Sequence, residues 1–130
     1  MNWLSIVCAA LAFWVLGFVW YSLLFGKMWT AALQQHGIKL QPGGMAPKLL
    51  GTFIGNLVAA IVMQHFIARI GNFSVVHGLR FGLGAGIGFS ATTITLAYLW
   101  QQQPLKVWVI DVSYYVLGAV LLGVILSAWH

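Results

Sequence analysis

Residues 3–25 run for 23 positions without a charged side chain, and windows of 20, 20 and 23 residues follow at 49–68, 81–100 and 107–129, with Asp111 the one charge among them. A hydrocarbon core about 30 Å thick takes about 20 apolar residues of helix to cross, and a chain inside it must satisfy its own backbone hydrogen bonds because lipid offers none. The pattern therefore predicts an all-α polytopic membrane protein. Once capping and turn residues are counted, the four transmembrane helices are expected at about 3–25, 49–68, 75–100 and 105–129. The windows take up about two thirds of the 130 residues. The expectation is thus a single four-helix transmembrane domain over 1–130, with no room for a separate soluble domain.

The remaining composition narrows what such a chain can do. Only 5% of its residues are charged, against about 25% for an ordinary soluble domain, so a soluble enzyme is excluded. Six lysines and arginines stand against one acid, but they are too few and too scattered to form the basic stripe that nucleic acid requires, and no nucleic-acid partner is expected. Cys8 is the only cysteine, which excludes an internal disulfide, and no Cys-x-x-Cys or His-Glu-x-x-His spacing is present. Met1-Asn2-Trp3 lacks the positive start of a signal peptide and the apolar run behind it is too long for one, so the first window is expected to stay attached as a span. A lipoprotein reading of Leu4 to Cys8 fails because Val7 stands where a small residue is needed.

The connections have their own signals. In the longest, Met28, Trp29, Ala32 and Leu33 share one helical face while Lys27, Thr30, Gln34 and Gln35 lie elsewhere, which predicts a short interfacial helix between the first and second spans. Gly37 can end it, Pro42-Gly43-Gly44 gives a turn, and Pro47 suits the first turn of the next helix. Gly71-Asn72-Phe73-Ser74 is a tight second loop in which Ser74 can cap the third helix ahead of its apolar window, and Gln101-Gln102-Gln103-Pro104 forces an antiparallel hairpin. Trp3, Trp20, Trp29, Trp100, Trp108 and Trp129 fall near span ends, as an aromatic belt requires. Lys27, Lys39, Lys48 and Lys106 flank the first and third loops and only Arg69 and Arg80 flank the second. The cytoplasmic membrane is the expected location; the positive-inside rule then places both termini outside the cytoplasm, and dual insertion stays open.

Three stretches resemble a known family: Trp20-Tyr21-Ser22 through Lys27-Met28-Trp29, then Gly88-Phe89-Ser90-Ala91-Thr92-Thr93, and Pro104-Leu105-Lys106 through Ile110-Asp111. Together with the tail Leu122-Gly123-Val124-Ile125-Leu126 and Trp129, they are similar to the small prokaryotic membrane proteins catalogued as domain-of-unknown-function family 1761. The resemblance covers nearly the whole chain and implies four spans and no assigned chemistry. Leu23 departs from it, since a proline is expected after Trp-Tyr-Ser, and this bears on any kink at the end of the first helix. Gly51-Thr52 with Asn56, and Thr92-Thr93, are similar to pieces of the four-span fluoride channels, but Ile94 and Thr95 break the pattern that family carries. Small multidrug exporters share the size and rely on a glutamate this chain lacks.

Asp111 carries the main chemical expectation. It lies four residues past Val107, about 6 Å inside the boundary, and intramembrane acids are costly. Measured from the same membrane face, Asn56 lies about 10 Å deep, Thr95 about 8 Å and Tyr21 about 6 Å, while Tyr114 and Tyr115 extend the face of Asp111 along the fourth helix. This polar cluster reads as a proton or cation relay, as a hydrogen-bond hub that locks four helices, or as an aspartate near enough to the surface to reach Lys27, Lys48 or Lys106.

Glycines supply the packing candidates: Gly51 and Gly55 on the second helix, and Gly78, Gly82, Gly84, Gly86 and Gly88 on the third. Small-xxx-small spacing lets helix backbones approach closely. Since Gly82/Gly86 and Gly84/Gly88 lie on different faces, the third helix is expected to touch two neighbours or leave a gap, with Gly86 a candidate for a self-association face. Nucleotide binding is excluded by Ile87, which stands where a third glycine is needed. On the other membrane side, Cys8, His65, His77 and His130 could in principle hold a soft metal or haem, but histidines near span ends usually face headgroup water, and no metal or cofactor is assigned. His65 and His77 lie across the membrane from Asp111, so no hydrolytic triad assembles and no enzyme is expected. The functional expectation is a homo-oligomeric transporter or channel for a small ion or solute; the alternative is an accessory or assembly subunit joined to other membrane subunits.

Overall fold

The computed structural model describes residues 2–35, 37, 45–71 and 73–129. Lys39, the Pro42-Gly43-Gly44 turn, Asn72 and His130 lie outside the described residues. Among the described residues there are six α-helices and two short π-helical segments, and four continuous helical stretches are long and apolar enough to cross a membrane: Trp3–Leu24, Ala46–Ile70, Val75–Gln101 and Leu105–Ala128.

Local sequence explains how each helix starts and stops. Asn2 caps α1 (Trp3–Val19) by accepting from the Ser5 amide at 3.3 Å, and the Ser5 hydroxyl donates back to the Asn2 carbonyl at 2.9 Å. The first span then widens into a π-helical turn at Trp20–Leu24, closed by the Phe25 amide on the Trp20 carbonyl at 2.8 Å. Phe25 breaks the helix and α2 (Gly26–Gln35) follows at once. Gly26 is required there, because a side chain would strike the Tyr21 carbonyl. The distortion at this end thus arises without the proline that Leu23 replaces. α3 (Met45–Ile70) carries Pro47 in its first turn, and Gly71 at φ +77° ends it. Ser74 caps α4 (Val75–Ala85) by accepting from the His77 amide at 3.0 Å. A second π segment, Gly86–Ala91, leads into α5 (Thr92–Gln101), so α4, this segment and α5 form the third span. Gln102 adopts a left-handed conformation (φ 56°) that sends the Gln103 amide back to the Tyr98 carbonyl at 3.1 Å, and Pro104 opens α6 (Leu105–Ala128).

α6 is the central element, packing against α1, α3, α4 and the second π segment. Its tightest neighbour is α4, where a Cβ at Gly78 would strike the Gly123 carbonyl and the Ser127 hydroxyl, and one at Gly82 would strike the Ala119 carbonyl. Gly86 continues the same seam, its added Cβ falling 3.1 Å from Val116 Cα. On another face of α6, Gly118 makes room for the Phe13 ring. Buried Ile6, Ala9, Ala10 and Phe13 of α1 join Ala60, Met63 and Ile67 of α3 and Tyr114, Leu122 and Leu126 of α6 in one core. α2 docks on the end of this bundle by burying Ala32 and Leu33 against Val107, while Met28 of its expected apolar face is exposed.

One glycine expectation is corrected, and of the two outcomes expected for the third helix the gap is the one observed. Gly86 is buried inside the subunit against α6, which removes it from any self-association face. Gly84 and Gly88 of the third span, and Gly51 and Gly55 of the second, meet nothing within 4 Å of an added Cβ, so the third span packs through one glycine face and leaves the other open.

Candidate functional site

Asp111 sits in the second turn of α6 and is 5% exposed. Each of its oxygens accepts a hydrogen bond from a phenol: Tyr21 of the first span donates to Oδ1 and Tyr98 of the third donates to Oδ2. Among the described residues no lysine or arginine pairs with it, so the expected reach to Lys27, Lys48 or Lys106 is replaced by two neutral donors. The Tyr21 ring is held in turn against Trp29 at 5.3 Å and Tyr114 at 5.3 Å.

Matching depth alone brings together only some of the expected cluster. Thr95 is occupied elsewhere: its hydroxyl donates to the Ala91 carbonyl at 2.6 Å and accepts from Trp108 Nε1 at 2.8 Å. Tyr114 donates to the Phe13 carbonyl at 3.4 Å. Tyr115 lies edge-on to Tyr114 at 4.9 Å between ring centroids and faces outward. Asn56 is 7% exposed, belongs to the wall of a cavity that Asp111 does not line, and its Nδ2, sealed from that cavity, has no partner among the described residues. The hub around Asp111 therefore joins three spans, with the second left out.

Tyr98 was not anticipated, and the signal for it is directional. Side chains on a helix tilt toward its N-terminus. Tyr98 lies nearer the hairpin than Asp111 does, on a helix running toward that hairpin, so its phenol leans back into the bundle; Asp111, on the returning helix, leans out to meet it. Tryptophans add further ties. Trp20 Nε1 donates to the Ile110 carbonyl at 3.1 Å and Trp14 Nε1 to the Leu49 carbonyl at 3.2 Å, so Trp20 and Trp108, near their span ends, also bond neighbouring helices.

Four of the openings among the described residues lie at or near this hub. Tyr21 lines one with Lys27, Thr30 and Gln34, about 450 Å³ in volume. Tyr98 lines two others, one with Trp108 and Gln103 and one with Thr93, Phe89 and Tyr115. The fourth, about 440 Å³, separates α3 from the third span, with Asn56, Gly55 and Ala59 on one wall, Phe89 and Ser90 on the other and Phe13, Tyr114 and Tyr115 between. Of the residues weighed as metal candidates, His130 lies outside the described residues; among the described His, Cys, Asp and Glu residues no three are grouped to hold a metal, and His65 lies edge-on to Phe66 at 6.0 Å.

A four-span helical bundle, held at one end by an acid between two phenols, defines an integral membrane protein. Residues 4–127 match the family described as protein of unknown function (DUF1761), and the chain belongs to that family. Neither a curated protein nor a solved structure matches it.

Proposed function

We propose that the chain forms a homo-oligomer in the cytoplasmic membrane that moves a small ion or solute, with Asp111 as its protonatable site. The observation that supports this reading is the placement of the two phenols on Asp111, whose rings line different openings, Tyr21 beside Lys27 and Tyr98 beside Trp108 and Phe89. A carboxyl flanked by two hydroxyls in this way can pass a proton between the opening beside Lys27, at the face of the first and third loops, and the one that reaches Phe89 and Ser90 toward mid-span. The open faces at Gly51/Gly55 and Gly84/Gly88 leave room for a second copy to approach closely. The lysine bias toward the first and third loops supports termini outside the cytoplasm, which reporter fusions after Trp129 would read as periplasmic activity.

One observation favours the accessory-subunit reading: both Asp111 oxygens are already satisfied within the chain, as in a purely structural lock. Proteoliposomes separate the two. Asp111→Asn keeps the shape and most of the hydrogen bonding, so a transporter loses proton-coupled flux while folding normally. Unchanged flux, or purification in fixed stoichiometry with foreign subunits, would instead make Asp111 a structural tie in an accessory protein.

A further inference from the structure

We infer that the opening beside Lys27 is a binding site for the phosphate of an anionic phospholipid headgroup, with Lys27, Thr30 and Gln34 as its donors. The inference does not depend on Asp111 moving protons.

Three observations carry it. The first is charge. Asp111 is the only acidic side chain among 130 residues, and both of its oxygens accept from phenols, so no side-chain carboxylate is left for the six lysines and arginines. The countercharge of Lys27 therefore comes from outside the chain. The second is the lining. Lys27, Thr30 and Gln34 are spaced three and four residues apart and so form one stripe of α2, which borders an opening of about 450 Å³ together with Tyr21 and Ser22 of the first π segment. Gly26 joins the two walls, drawn so close that a side chain there would strike the Tyr21 carbonyl. An ammonium, a hydroxyl and a carboxamide each supply donors, and a phosphate offers several acceptor oxygens with the opposite charge. Tyr21, its hydroxyl committed to Asp111, adds a ring and no donor. The third is position. The first span ends at Leu24 and Lys27 follows three residues later, which puts the opening at headgroup level. On the same two segments Leu23 is 75% exposed, Leu24 58% and Met28 47%, an apolar surface that suits acyl chains and that a free phosphate would leave bare.

The test uses the full chain in a mild detergent, titrated with phosphatidylglycerol or with phosphatidylcholine of the same acyl chains, and counts bound lipid by native mass spectrometry. Glycerol 3-phosphate serves as the soluble competitor. One phosphatidylglycerol per chain is expected, bound at least about fivefold more tightly than phosphatidylcholine and not displaced by glycerol 3-phosphate at equal concentration. Lys27→Gln should weaken phosphatidylglycerol binding by about fivefold. Gln34→Glu, which keeps the shape of an exposed side chain and brings a negative charge to the stripe, should weaken it at least as much. Lys48→Gln removes the same charge from an exposed position that lines none of the four openings, and should change binding by less than about twofold. Equal affinity for the two lipids, or undiminished binding by Lys27→Gln and Gln34→Glu, would overturn the inference. So would a loss in Lys48→Gln as large as in Lys27→Gln, which would reduce the site to diffuse surface charge. Displacement by glycerol 3-phosphate would overturn the lipid assignment and give the opening to a soluble phosphate.

Discussion

The two sides of the third span use the same residue to opposite ends. Gly78, Gly82 and Gly86 close on α6 so tightly that an added methyl group would meet backbone, whereas Gly84 and Gly88, at the same spacing on another face, meet nothing. The difference lies in the partner. α6 answers the first set with Ala119, Gly123 and Ser127, small residues that let two backbones touch. α3 offers Gly55 and Ala59 to the gap on the cavity side, yet makes its main packing against α1. A glycine stripe thus permits close approach without causing it, and a complementary stripe on a helix already brought near decides where contact forms.

The largest test of that contrast is Gly123→Leu. Its side chain would run into the Gly78 carbonyl, which cannot move without shifting α4, so a loss of about 3 kcal/mol or more and a collapse of the monodisperse peak in detergent are expected. Next is Phe13→Ala, which empties the slot beside Gly118 and enlarges the floor of the open cavity. A cost of about 3 kcal/mol in a denaturant titration is expected, and a much smaller value would mean that the two regions are not divided by this ring. Tyr21→Phe and Tyr98→Phe should each cost about 1 kcal/mol, and each should cost less in an Asp111→Asn background; additive effects in that double-mutant cycle would show that the phenols stabilise the bundle by packing alone. The smallest effect belongs to Gly88→Leu, expected within about 0.5 kcal/mol of the parent chain. Its oligomer mass is the informative readout: a lower mass places self-association on the open face, and a stability loss like that of Gly123→Leu would erase the contrast between the two faces.

Long uncharged windows made the four spans legible, and Ser74 and the Gln101–Pro104 hairpin marked their boundaries because capping and turn chemistry are local. The site was legible only in depth. Counting residues from a membrane boundary places Asp111, Tyr21, Thr95 and Asn56 at comparable levels, but α6 is apolar on every side and gives no periodic cue to its rotation. Depth therefore grouped Asn56 and Thr95 with Asp111, while the structure sets the first in the wall of a separate cavity and turns the second toward Trp108. The π-helical turn at Trp20–Leu24 was equally hidden, since its widening depends on how Gly26 and Tyr21 crowd one another after the fold has formed.

The central position of α6 also sets an order of events during synthesis. α1 and α3 emerge before it and can pair as soon as both are in the bilayer, but the glycine face of α4 has no surface to close on until α6, which leaves the ribosome after the other three spans, has inserted. For that interval the third span is held in the membrane by hydropathy alone. Newly made chains would then be most vulnerable to membrane proteases before α6 arrives.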